Sequence, residues 1–172
     1  MKLNIYIYYI EILEEFVVLN SLIYHRDVEH WLKLEQSSIL SLDDYNVKSH
    51  FSRSRYQHGG VMTLLNRDLL CTSLENISSL SIEIDCELSA VFIREFDLIL
   101  ITVYHSPKGD FNNFIDAIIK LFDVVEYKSK SVIIGGDFNL LFGTNDTKSK
   151  FFCDLLFSYG FLSFVTFKTH NN

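Results

Sequence analysis

Between residues 77 and 107 the chain alternates short apolar runs with polar breaks, the runs lying at 80–85, 88–93 and 98–104. Runs of this length, rich in β-branched and aromatic residues, predict consecutive strands with antiparallel pairing. After Pro107 the period changes. Phe111, Phe114, Ile115, Ile118, Ile119, Phe122 and Val125 recur at helical spacing, with Asp110 placed to cap the first turn. That helix is expected to end near residues 128–130, where lysines suit the negative end of its dipole. The apolar run 132–134 follows and completes a strand, helix, strand unit, which builds a mixed or parallel sheet. A second helical period runs from Thr147 through Phe151, Phe152, Leu155 and Leu156 to Tyr159, and Gly160 suits the left-handed position just beyond. Residues 161–167 predict another strand. Residues 10–22 predict an early amphipathic helix with Glu11, Glu14 and Glu15 on its wet face. The fold class read from this pattern is α/β.

Composition adds a packed core and a single domain. The chain has 172 residues, 48% of them apolar, with 15 Phe and 9 Tyr; a domain near this size buries roughly 70% of the surface its unfolded form exposes. No repeat, low-complexity block or Pro-rich linker divides it, so residues 1–172 read as one domain. Cys71, Cys86 and Cys153 lie far apart without CxxC spacing, which indicates neither a zinc site nor a disulfide framework and predicts no disulfide-linked partner. Residues 5–19 are apolar enough to resemble a signal segment. Glu11, Glu14 and Glu15 interrupt them, no small-residue cleavage site follows, and the stretch is too short and charged to span a bilayer. The expectation is a soluble intracellular chain with no membrane partner. The formal net charge of −7 is the wrong sign for binding nucleic acid by charge alone. It is compatible with a metallonuclease, where a cation supplies local positive charge at the phosphate.

Three segments offer chemistry. Gly135-Gly136-Asp137-Phe138-Asn139 ends an apolar run with two glycines that let backbone approach a ligand, an aspartate able to orient or deprotonate water, and an asparagine able to donate to a developing oxyanion. A plain strand-ending turn is the alternative. Tyr104-His105-Ser106-Pro107 ends a strand with a phenol that can donate to a phosphate, or simply cap the sheet. Glu29-His30-Trp31-Leu32 carries a hard oxygen donor of the kind magnesium prefers. The histidines show no HxxxH or HExxH spacing. Arg53 and Arg55, in the basic and aromatic stretch 50–58, are candidate contacts to a nucleic-acid backbone, with a solvated loop as the alternative.

Taken in order, Glu29-His30-Trp31-Leu32, His58-Gly59-Gly60-Val61, Tyr104-His105-Ser106-Pro107 and Gly136-Asp137-Phe138-Asn139 resemble the motifs of the endonuclease/exonuclease/phosphatase family. The wording between motifs, including Glu87-Leu88-Ser89-Ala90, is most similar to the endonuclease domains of animal non-long-terminal-repeat retrotransposons, which nick target DNA for reverse transcription. The resemblance implies a two-sheet sandwich with flanking helices and metal-dependent phosphodiester hydrolysis. It implies Mg2+, or Mn2+, held by Glu29, Tyr104 on the phosphate, Asp137 on the water, Asn139 on the pentavalent phosphorane, DNA as partner and the nucleus as a possible location. The family's terminal Asp-His motif has no counterpart in this sequence, so the domain is expected to be truncated at its C-terminus and irregular before residue 29. His170 and Asn4 are weak candidates for the histidine and for the family's early asparagine. Two other readings stay open: a catalytically inactive remnant that binds nucleic acid or protein, and a phosphatase or RNA-directed branch of the same family.

Overall fold

The computed structural model describes residues 23–24, 41–42, 45–56, 58–125, 130–142 and 145–161. Strands β1 (Ile23–Tyr24), β2 (Ser41–Leu42), β3 (Tyr45–Phe51) and β4 (Val61–Asn66) form one antiparallel sheet in the order β1-β4-β3-β2. Strands β5 (Cys71–Ser73), β6 (Glu87–Ile93), β7 (Leu98–Tyr104) and β8 (Ser131–Asp137) form the second in sequential order. Its first three strands are antiparallel, and β8 runs parallel to β7. A short helix α1 (Glu75–Ser78) and two longer ones, α2 (Phe111–Val124) and α3 (Thr147–Ser158), complete the described elements. The class is therefore α/β with two sheets, as the sequence pattern and the resemblance both require.

Strand β7 is buried at all seven positions because each of its faces is covered. Ile99, Ile101 and Val103 pack with Leu88, Ala90, Val132 and Ile134 under the apolar face of α2, formed by Phe114, Ile115, Ala117, Ile118, Leu121 and Phe122. Each of these side chains larger than alanine contributes roughly 1.5–3 kcal/mol by leaving water, so this layer holds the parallel β7-β8 pair in place. Helix α2 begins where predicted: the Asp110 carboxylate accepts the main-chain N–H groups of Asn112 and Asn113 at 2.8 and 3.0 Å. It stops earlier than the lysines suggested. The helix ends at Val124, and Val125 already has extended geometry and is buried in the core. Helix α3 ends in a Schellman arrangement around Gly160, with the Phe161 N–H on the Leu156 carbonyl and the Gly160 N–H on the Phe157 carbonyl.

One strand expectation fails. Residues 80–85 form a reversal, in which Ile82 and Cys86 bond each other's main chain at 2.7 and 2.9 Å and Ile84 takes a left-handed conformation at φ 76°. The apolar run resembles a strand by composition, but the chain must turn within it to deliver Cys86 and Glu87 to the start of β6. The expected helix at 10–22 and strand at 161–167 lie outside the described residues, apart from Phe161, which packs in the core. No described helix is long and apolar enough to cross a membrane. Cys71, Cys86 and Cys153 are free thiols.

The layer between the sheets changes character along the strands. At one end Leu65, Val91, Ile93, Leu98 and Leu100 cluster. In the middle the Thr63 hydroxyl meets those of Ser89 and Thr102 at 2.8 and 2.9 Å, and the Ser49 hydroxyl accepts the Ala90 N–H at 3.3 Å. Alternation then delivers Glu87, Tyr104 and Asp137 to the other end, so polarity rises stepwise toward one rim.

Candidate active site

At that rim the strand register aligns three polar side chains. Glu87 of β6 lies opposite Tyr104 of β7, and Tyr104 lies beside Asp137 of β8, all on the face turned toward the first sheet. Two of the motif residues read from sequence, Tyr104 and Asp137, are thus neighbours, at the carboxyl ends of the parallel pair where ligands of such sheets gather.

Glu87, fully buried, organises the row. One carboxylate oxygen accepts the Arg53 Nε–H and the Ile84 N–H, the latter at 2.9 Å; the other accepts the Gly60 N–H at 2.7 Å. Arg53 also donates from Nη1 to the His58 carbonyl, and its guanidinium carbon stands 5.7 Å from the centre of the Tyr104 ring. The lead-in to β4 is shaped around this cation: His58, Gly59 and Gly60 all have positive φ, and a Cβ on Gly59 would overlap the guanidinium. Arg53 is accordingly an inward, ion-paired residue with a side chain 8% exposed, whereas Arg55 lies on the exposed loop. Glu83 holds that loop by accepting the N–H groups of Ser54, Arg55 and Tyr56 and the Ser54 hydroxyl. Burial pushes the Glu83 carboxyl up, yet these hydrogen bonds outweigh it and leave the group below its ordinary range.

Beyond β8 the chain bends at Asn139, which has φ 48°, and its N–H donates to the Asp137 carboxylate at 3.0 Å. The Asn139 side-chain amide donates to the His105 carbonyl at 2.8 Å. His105 is buried with its ring 4.6 Å from that of Phe114. Burial lowers its basicity, while main-chain groups of Phe138 and Gly109 and the charge of Asp85 pull the other way and Lys148 adds to the lowering. Cys86, fully buried next to Glu87, has its thiol pushed up by burial and by the Glu87 and Asp85 charges, which makes it a packing residue rather than a nucleophile.

Glu29, Asn4 and His170 lie outside the described residues. Among the described residues no group of three or more His, Cys, Asp or Glu is placed to hold a metal ion, and both Glu87 oxygens are already engaged by protein donors. Glu87 and His105 carry the local architecture without having been singled out as site residues in the sequence. In the sequence Glu87 figures only within Glu87-Leu88-Ser89-Ala90 and His105 only within Tyr104-His105-Ser106-Pro107, both segments of the family resemblance.

The lowered basicity of His105 predicts an acid-side loss of stability. The folded state holds the neutral ring below the ordinary value of 6.5, so the unfolded chain binds more protons in that range and stability falls as pH drops from about 6.5 toward the folded value. Chemical denaturation at pH 7.5 and 5.5 should show a lower midpoint at 5.5, and the difference should shrink in His105→Asn. An unchanged pH dependence in that variant would remove His105 as the cause. No protein-family model, curated protein or solved structure matches the chain.

Proposed function

We propose that the chain is a metal-dependent phosphodiesterase of the endonuclease/exonuclease/phosphatase type that acts on DNA. The observation that carries this reading is the in-register row of Tyr104 and Asp137 at the ends of the parallel strands, with Asn139 two residues beyond. In this reading Asp137 orients and deprotonates the attacking water, its carboxylate aimed by the Asn139 N–H. Tyr104 donates its hydroxyl to a phosphate oxygen. One N–H of the Asn139 amide is engaged by the His105 carbonyl, and the second is the donor for charge building on the phosphate. Glu29 would hold magnesium, which would supply polarisation of the phosphate.

Purified protein incubated with supercoiled plasmid and magnesium or manganese should produce nicked circles, and both Asp137→Ala and Glu29→Ala should lose this activity. A folded wild-type protein that retains plasmid without nicking it would support instead a binding module without turnover. Arg53 lends that second reading no support, because its charge is committed to Glu87 rather than offered to a phosphate backbone.

A further inference from the structure

We propose that His105 is the positioning residue of the Asp137–Asn139 loop, the splint that fixes the carboxylate and the amide relative to Tyr104. The inference rests on the phosphodiesterase reading for its catalytic consequence, but its geometric content stands apart from it. A single residue bonds three consecutive loop residues. The His105 main-chain N–H donates to the Asp137 carbonyl at 2.9 Å, its Nδ1 meets the Phe138 carbonyl at 2.9 Å, and its own carbonyl accepts the Asn139 amide at 2.8 Å.

Two of these bonds use the main chain and would survive any substitution that kept the backbone in place. The third depends on the ring. A carbonyl can only accept, so Nδ1 carries the proton and the neutral ring is the Nδ1–H tautomer. The ring has little room to turn away. It packs on Phe114, and a Cβ added to Gly109 would stand only 3.0 Å from its Nε2. Because His105 directly follows Tyr104, a ring fixed on Phe138 ties the end of β7 to the loop after β8. The relative position of phenol, carboxylate and amide is thereby set by one side chain that touches none of the reacting atoms.

The donor and the volume of the ring can be separated. His105→Phe keeps the packing on Phe114 and removes the donor, whereas His105→Asn loses volume but places an amide N–H near the position of Nδ1. In a folded His105→Phe protein, hydrogen exchange at the Asn139 side-chain amide and main-chain N–H should rise about tenfold, as expected when one buried hydrogen bond is lost. Plasmid nicking should show kcat reduced about tenfold or more with KM changed little, since misplacement acts on the transition state. His105→Asn should restore both readouts most of the way. Where His105→Phe does not fold, His105→Ala against His105→Asn makes the same comparison of absent and present donor. Equal Asn139 protection with and without the donor would overturn the proposal. Exchange that responds as expected in a wild-type protein with no nicking activity would uphold the splint and reject the phosphodiesterase reading.

Discussion

Replacing Glu87 with alanine is expected to destabilise the fold by about 3–5 kcal/mol, the range for breaking a buried ion pair by removing one partner. The size follows from what the carboxylate leaves behind. Arg53 would keep its charge in a site where its side chain is 8% exposed, and the N–H groups of Gly60 and Ile84 would lose their acceptor. For a domain of this length such a loss lowers the thermal midpoint by roughly 10 °C or more. Glu87→Gln should cost less, since an amide oxygen can still accept from one main-chain donor. The double variant Arg53→Met, Glu87→Leu should recover the share of the loss that comes from the unpaired Arg53 charge, while the Gly60 and Ile84 N–H groups still lack their acceptor. Denaturant unfolding of the wild type, Arg53→Met, Glu87→Leu and the double variant gives the coupling directly. A Glu87→Ala cost below about 1 kcal/mol, or additive single changes, would mean that the pair does not organise this end of the sandwich.

The strand, helix, strand unit was legible in the sequence because every local signal in it agreed. The run 98–104 is apolar except for Thr102 and the Tyr104 hydroxyl, as suits a strand covered on both faces, and Asp110 is followed by a helical apolar period. Likewise α3 with Gly160 combines helical spacing and a left-handed stop. The run 80–85 misled because composition does not encode direction: nothing in Leu80-Ser81-Ile82-Glu83 announces that Ile84 takes a positive φ and that the chain reverses. Strand β3 was not legible because a bulge between Val47 and Ser49 breaks its alternation, and β4 was marked only by its glycine-rich entry His58-Gly59-Gly60-Val61 through the family resemblance.

At the site, the residues whose chemistry is conspicuous are legible in the sequence, and those whose role is to hold others are not. Tyr104 and Asp137 stand at the last positions of strands that are parallel neighbours, so their proximity follows from topology once the βαβ unit is accepted. Glu87 becomes meaningful only when Arg53, 34 residues earlier, is placed beside it by a different sheet. No periodicity within one segment contains that relation. His105 depends on a contact with residues 33 and 34 positions later, which is equally invisible to local pattern.

The second large effect is expected at Gly136. Its φ is 149°, and a Cβ there would overlap the carbonyl of Val103, its register partner on β7. The obstructing atoms are main chain in a strand buried at every position, so they cannot swing aside as a long side chain would. Gly136→Ala should therefore cost about 3 kcal/mol or more, as overpacking adds to an unfavourable backbone conformation. Relief requires the end of β8 to move away from β7. That motion would lengthen the pairing of Tyr104 with Asp137 and pull on the His105 N–H bond to the Asp137 carbonyl. Hydrogen exchange should thus rise at His105 more than at the far end of the same pair, where Leu98 meets Ser131. A thermal midpoint near that of wild type, with uniform exchange along β7, would show that the strand tolerates a side chain there. The glycine before the aspartate would then be dispensable for bringing Asp137 alongside Tyr104, and close backbone approach would cease to explain the Gly-Gly-Asp order.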